Sequence, residues 1–208
     1  MKAIDLIELA QNVILSIPTL DDRGAHEEIV RAALGRAYNQ MLGDLTIKGY
    51  KNLSPYTKLY KNVAISLDAS IGAYYSELPV DISPLVDVKS GVRGISPMIG
   101  TNVQFAPLDR EKLGIIGNLL VSQVSTKIGY TIGINSLGKI TVDYFGMNTD
   151  NVISEVKMYL LIPFEAYGDQ EEVHIPAGQD KILLDYVVKF LSGSPQKDLK
   201  NSASEMKY

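Results

Sequence analysis

Cysteine and tryptophan are absent from this chain, histidine occurs twice and phenylalanine only four times. Without cysteine there are no disulfides, no thiolate nucleophiles and no thiolate metal ligands. With His26 and His174 alone, the commonest general base and metal ligand is scarce. The zinc-protease spacing His-Glu-x-x-His fails after His26 because Val30 stands in the last place. Charge of positive sign is also in short supply: the net charge is -4, so there is no overall basic excess with which to wrap nucleic acid. A local basic patch is still compatible with that balance. No apolar run approaches the length of about eighteen residues needed to cross a membrane. Asp5 and Glu8 interrupt the stretch that would be apolar in a signal peptide, so synthesis in the cytoplasm is expected.

Other chemistry is missing by spacing rather than by composition. Serine is plentiful, yet no Gly-x-Ser-x-Gly elbow occurs. Asp21, Asp22, Glu27 and Glu28 gather at a helix start, where acids serve the helix dipole, and calcium-loop spacing is absent. Lys89-Ser90-Gly91-Val92-Arg93-Gly94 is basic and glycine-containing but is not a Walker loop; it reads as a tight turn between short strands. Asn52-Leu53-Ser54 fits the glycosylation pattern without a secretory signal to give it meaning. The expectation is therefore no catalytic, cofactor-binding or metal-binding residue, and no enzyme.

What is present is a well-made globular chain. Its 208 residues are 46% hydrophobic, and a chain of this mass buries roughly 70% of its extended surface on folding. Twelve tyrosines supply most of the aromatic area, and their polar tips suit half-buried surfaces and interfaces. Helical spacing runs from Ala3 to Ile17, ended by Pro18, and from about His26 to Leu42, with Gly43 placed to cap it. In the second helix Ile29, Val30, Ala33, Leu34, Ala37, Tyr38, Met41 and Leu42 keep the three-four spacing.

From Thr46 onward the pattern turns to strands. Val63, Ile65 and Leu67 alternate with Ala64, Ser66 and Asp68, which predicts one half-buried strand. Ala73 to Pro79 is a second, and Gly91 to Pro107 is loop-rich with strands of a few residues. Leu108 to Leu113 suits a turn or two of helix, and Leu119 to Ile134 is strand-like. Asn135 to Gly138 makes a hairpin turn, Lys139 to Phe145 is the return strand, and Val152 to Pro163 is another. Asp169, Glu171 and Glu172 form an acidic loop.

The last segment, Ile175 to Leu191, carries the fullest start and stop signals. Pro176 suits a first helical turn, Asp180 favours the N-terminal end, and Gly193 and Pro195 stop the helix. Leu183, Val187, Phe190 and Leu191 form one stripe with Tyr186 beside it, while Ile182 and Val188 lie off it. Such a helix is either central in the core or wedged between its own domain and a neighbouring subunit. The expected fold is α+β: a helical bundle from residues 1–60 and 173–208, with an antiparallel β domain inserted at 61–172.

Two stretches carry a family resemblance. Tyr75-Ser76-Glu77-Leu78-Pro79-Val80-Asp81 is similar to the aromatic, then Glu-Leu-Pro-x-Asp, signature of tailed-phage neck proteins. Val173-His174-Ile175-Pro176, an apolar helix, Pro195-Gln196-Lys197-Asp198-Leu199-Lys200 and a terminal tyrosine resemble the closing segment of the same proteins. These are the head-to-tail connectors (adaptor, or tail-tubular, proteins) of short-tailed bacteriophages. The resemblance implies a virion structural protein in a homo-oligomeric ring, usually of about twelve subunits. Its partners would be other copies of itself, the portal protein above and a tail or neck protein below. DNA would pass through the ring without sequence-specific binding, and no membrane or cofactor would be involved. The β insertion would face the neighbouring subunit or the next tail component. Carried onto this chain, the candidate interface is Ile182 and Val188 on the helix and Pro195, Lys197, Asp198, Leu199 and Tyr208 beyond it. The alternative is a β-sandwich module of a phage particle that binds a small ligand or glycan through Gly91 to Pro107.

Overall fold

The structure, a computed structural model, describes residues 1–16, 27–49, 53–69, 72–98, 104–108, 127–135, 137–147, 153–175 and 178–192. Over these it is a mixed α+β fold with four α-helices and two sheets. Helix α1 spans Ala3–Leu15 and buries Ala3, Leu6, Ile7, Ala10 and Ile14, a stripe at three-four spacing. The acidic loop closes its N-terminus. The Ala3 and Ile4 amides donate to the Glu171 and Asp169 carbonyls at 2.9 and 3.0 Å, satisfying groups a helix start leaves unpaired. The Val173 amide returns a bond to the Met1 carbonyl at 2.9 Å. Arg31 and Lys58 then hold Asp169 and Glu171 at 2.5 and 2.6 Å, so this loop clasps α1, the helix that carries Arg31 and the first strand together.

Helix α2 spans Glu27–Ile47 and is the centre of the helical layer. It buries Val30, Ala33, Leu34, Ala37, Tyr38, Met41 and Leu42, but also Gly35, Asn39, Gly43 and Asp44 on other sides. The expected cap at Gly43 is overturned: the helix continues one turn past it to Ile47. Gly43 is there for close approach, because a Cβ at that position would stand 3.0 Å from the Leu85 Cβ and 3.2 Å from its carbonyl oxygen. Helix α3 is the short Val88–Gly91, and α4 is Asp180–Leu191. Thus α4 begins later than the proline signal suggested. Gly178, at φ +84°, has a left-handed backbone that cannot continue from a helix, and Pro176 lies outside the described residues.

The strands are β1 (Lys58–Ala64), β2 (Ser66–Asp68), β3 (Ala73–Glu77), β4 (Val92–Pro97), β5 (Gln104–Pro107), β6 (Lys127–Ile134), β7 (Ile140–Phe145) and β8 (Glu155–Leu160). They form a three-stranded sheet, β1-β8-β4, and a five-stranded one, β2-β3-β7-β6-β5. The single strand expected over Val63, Ile65 and Leu67 is in fact two. A register shift between Tyr60 and Val63, with Asn62 at φ +57°, bends β1, and the chain changes sheets at Ile65. Val63 is therefore buried while Leu67 is exposed. A purely antiparallel region is also corrected: β5 pairs with β6 in parallel, Gln104 beside Lys127 through Pro107 beside Tyr130. Parallel neighbours need a long crossover, and residues 109–126 supply enough chain for one. The Leu108–Leu113 helical turn and the Leu119–Thr126 part of the expected strand fall mainly on those residues, outside the described ones.

The hairpin and β8 follow the expected periodicity. Asn135 Oδ1 accepts from the Leu137 and Lys139 amides at 3.0 and 2.9 Å, and Gly138 takes φ +78°. In β8, Val156, Met158 and Leu160 are buried alternately with Glu155, Lys157 and Tyr159, as period two requires. One apolar cluster runs through α1, α2, α4 and both sheets.

Candidate functional site

Helix α4 packs on α2 and, less extensively, on α1. Leu183 and Val187 are fully covered, whereas Phe190 and Leu191 are half-buried at its C-terminal end. Ile182 is 43% exposed and Val188 half-buried, and six residues apart they lie about 120° from each other around the helix, on opposite flanks of the buried stripe. These two are the members of the expected interface that fall on described residues. Pro195, Lys197, Asp198, Leu199 and Tyr208 lie outside them. The central-helix reading passes from α4 to α2, because α2 buries residues on several sides and, short of its last residue, leaves open only the strip of Glu27, Glu28, Ile29, Ala32 and Arg36, whereas α4 fully buries Leu183 and Val187 alone.

A groove of about 300 Å³ runs between these helices, lined by Glu28, Ile29, Ala32, Ala33, Arg36, Phe190 and Leu191. Ile29 was counted in the apolar stripe of α2, yet it stands 43% exposed while its neighbour Val30 is buried. Adjacency to Val30 does not mark it, since the adjacent pairs Ala33–Leu34, Ala37–Tyr38 and Met41–Leu42 of the same helix are buried at both members. The two alanines open the groove by being short.

Around α2 the buried polar groups are paired. Tyr38 and Tyr167 hydroxyls meet at 3.4 Å, with rings 6.2 Å apart at 87°, and Phe164 lies 6.1 Å from Tyr38. Burial pushes both phenols above their ordinary range, and the neighbouring phenol raises Tyr38 further. Ser83 donates to Asn39 Oδ1 at 2.8 Å. Tyr186 donates to Asp44 at 2.6 Å, and Gln40 donates to the same carboxylate at 2.8 Å. Burial, then that bond and the Asp44 charge, pushes the Tyr186 phenol up to about 12.

A second recess, about 320 Å³, lies where the two sheets meet. It is lined by Lys89 of α3, Val92 and Arg93 of β4, Pro107 and Leu108 at the end of β5, and Tyr130, Thr131 and Ile132 of β6. The Leu108 amide donates to the Tyr130 carbonyl at 2.8 Å, which fixes the β5 end against β6. Burial raises the Tyr130 phenol, and the charge of Arg93 opposes that rise. Thr131 is only 4% exposed, and its Oγ1 has no hydrogen-bond partner. Lys89–Gly94, expected as a tight turn between two short strands, is instead the end of α3 running directly into β4. Its basic residues meet β6 only because the two sheets converge, which no local spacing reports.

The resemblance-bearing segments occupy structural seams. Ser76 is buried in β3, donates to the Ala64 carbonyl at 2.8 Å and accepts from Tyr144 at 3.2 Å, joining the two sheets. Glu77 pairs with Lys139 at 2.7 Å across the sheet. Val173 is buried at the clasp on α1, while His174 is exposed. Among the described residues no group of three or more His, Asp or Glu could hold a metal ion, and no helix is long and apolar enough to cross a membrane. The class that the fold defines is thus a mixed α+β protein, and its described residues include a helical groove and an inter-sheet recess. No protein-family model matches the chain, and no curated protein matches it in sequence.

Proposed function

We propose that this chain is a virion structural protein, a subunit of a ring that connects portal to tail and forms part of the DNA channel. The observation that carries this reading is that, among the large apolar side chains left exposed, two sets stand on separate parts of the fold. One set is on the helical layer, with Ile29 in the groove wall and Ile182 farther along α4. The other is the β6–β7 hairpin, where Ile134 and Leu137 are 67% and 79% exposed. Single exposed apolar residues are ordinary. A pair at the end of a hairpin, together with an apolar groove elsewhere, suits head-to-tail contact, because a closed ring requires two different complementary surfaces on each subunit. The ring is homo-oligomeric, of about twelve copies by the family likeness. The helical layer of residues 1–60 and 173–208 meets the portal, and the inserted β region, 61–172, faces the neighbour or the next tail component. DNA slides past an acidic protein without being read in sequence, and the protein resides in the virion neck.

The test is mass photometry of the purified full chain, alone and mixed with portal rings of the same particle. Ring-sized or portal-bound species are expected, and Ile29→Asp or Leu137→Asp should abolish them while leaving the thermal melt intact. A species that stays monomeric in both conditions sinks the reading.

A further inference from the structure

We propose that the α2–α4 groove receives the β6–β7 hairpin of a second copy of this chain. The pairing rests on the ring reading and goes one step past it, by assigning which surface of one subunit enters the next. The hairpin presents an aliphatic side chain where turns ordinarily carry glycine, asparagine or serine. Leu137 sits in the turn and is the most exposed large apolar side chain among the described residues. Its backbone is fixed from both sides. Asn135 Oδ1 accepts from the Leu137 and Lys139 amides, and Gly138 supplies the left-handed conformation. Ile134, paired across the ladder with Ile140, brings a second exposed aliphatic group to the same end.

The groove is its complement in size and in charge. About 300 Å³ is twice the roughly 150 Å³ of an apolar cavity that admits a benzene-sized group. It therefore has room for a leucine and an isoleucine side chain. Ile29, Ala32, Ala33, Phe190 and Leu191 supply apolar wall, and Glu28 and Arg36 supply charge. Among the described residues neither of those two has an ion-pair partner. They stand about 12 Å apart along α2, so the groove is acidic towards one end and basic towards the other. The hairpin carries the matching signs, Lys139 beside Glu77, next to its exposed leucine. That pair is solvent-exposed and opens to new partners at little cost. Lys139 towards Glu28 and Glu77 towards Arg36 satisfies both signs in one orientation, which is how charge fixes register at an interface. Both surfaces stand open in the single chain, so neither fills the other within it. A groove and a hairpin are different surfaces, so their contact runs head to tail and repeats from copy to copy.

The chain has no cysteine, so introduced thiols can be cross-linked without background. The experiment mixes two full-length variants, Ala32→Cys and Lys139→Cys, with a short bismaleimide, in the presence and absence of portal rings. Both positions are exposed and neither is an aliphatic anchor, so fold and contact are retained. The expected product is a covalent dimer joined between positions 32 and 139, found by peptide mapping. Both substitutions in one chain should give a ladder of linked multimers. Adding Leu137→Asp should lower the linked yield about tenfold, because a carboxylate then meets apolar wall. Links of 32 to 32 or 139 to 139 in place of 32 to 139 show a twofold contact and overturn the pairing. So does a link within one chain between Ala32→Cys and Leu199→Cys, which would seat the chain's own tail in the groove. A yield no higher than that of Lys48→Cys, an exposed site at the far end of α2, overturns it as well. Rings or portal-bound species without the 32–139 link overturn the pairing and leave the ring standing, whereas a chain that stays monomeric removes both.

Discussion

The surroundings of α2 and the wall of the inter-sheet recess treat buried polarity in opposite ways. Along α2, Tyr38, Asn39 and Asp44 are enclosed, and each meets a hydroxyl or amide from another element. On β6, Thr131 is just as enclosed and meets nothing. The first pattern locks partners into register, because a misplaced neighbour would leave a donor or acceptor dry. The second stabilises nothing in the free protein. Buried polarity that is fully paired specifies the packing of its neighbours, and a buried hydroxyl without a partner specifies none.

The comparison can be broken most forcefully at Tyr38. Tyr38→Ala removes a fully buried ring from between Phe164 and Tyr167 and should cost about 3–5 kcal/mol in urea unfolding. A much smaller loss would mean that the α2 environment is loosely packed. Next in size is a contrast between two glycines of the same helix. At Gly43 an added Cβ would press on Leu85 Cβ and carbonyl, which cannot swing away, so Gly43→Ala should cost about 1–3 kcal/mol. At Gly35 the obstacle is the carboxyl end of Glu165, an exposed side chain free to rotate. There the gain in helix propensity offsets the adjustment, and Gly35→Ala should change stability by less than about 1 kcal/mol.

Tyr186→Phe tests the polar pairing directly and should cost about 1–2 kcal/mol, because Asp44 keeps only Gln40. It also predicts a pH effect. The folded phenol titrates at about 12 against an ordinary value near 10. Its contribution is complete below pH 10 and is lost as pH rises from 10 towards 12, since the unfolded chain releases the proton first. The phenylalanine variant should lack that component of alkaline destabilisation in thermal melts. The smallest effect belongs to the clasp. Lys58→Met removes the partner that holds the Glu171 carboxyl below its usual range. The pair contributes above the ordinary carboxylate pKa and is lost as pH falls through the lowered one. As Glu171 is largely exposed, the change should be under about 1 kcal/mol and should fade at high salt.

Local periodicity was a good guide to α1, to β8 and to the β6–β7 hairpin, where one core direction and one turn chemistry suffice. It failed where two demands meet in one stretch. Val63 and Leu67 share a strand pattern, yet a bend at Asn62 and a change of sheet at Ile65 send them to different environments. Gly43 carries the signal of a cap, and Leu85, forty-two positions away, makes it a contact instead. For the candidate interface, Ile182 was readable as a residue off the buried stripe, whereas Ile29 was hidden among good core positions.

The amino-acid sequence by itself determined which segments are helical or extended, and which faces must be covered, because those depend on spacing and on neighbours within a turn or two. It also set the absence of thiol chemistry and the scarcity of histidine. Only the tertiary structure decided that α2 rather than α4 is central, that β5 and β6 run in parallel, and that Lys89, Arg93 and Thr131 line one recess. The reason is physical: burial and pairing are properties of elements far apart in the chain, and a side chain's partner is chosen by packing, which no local pattern encodes.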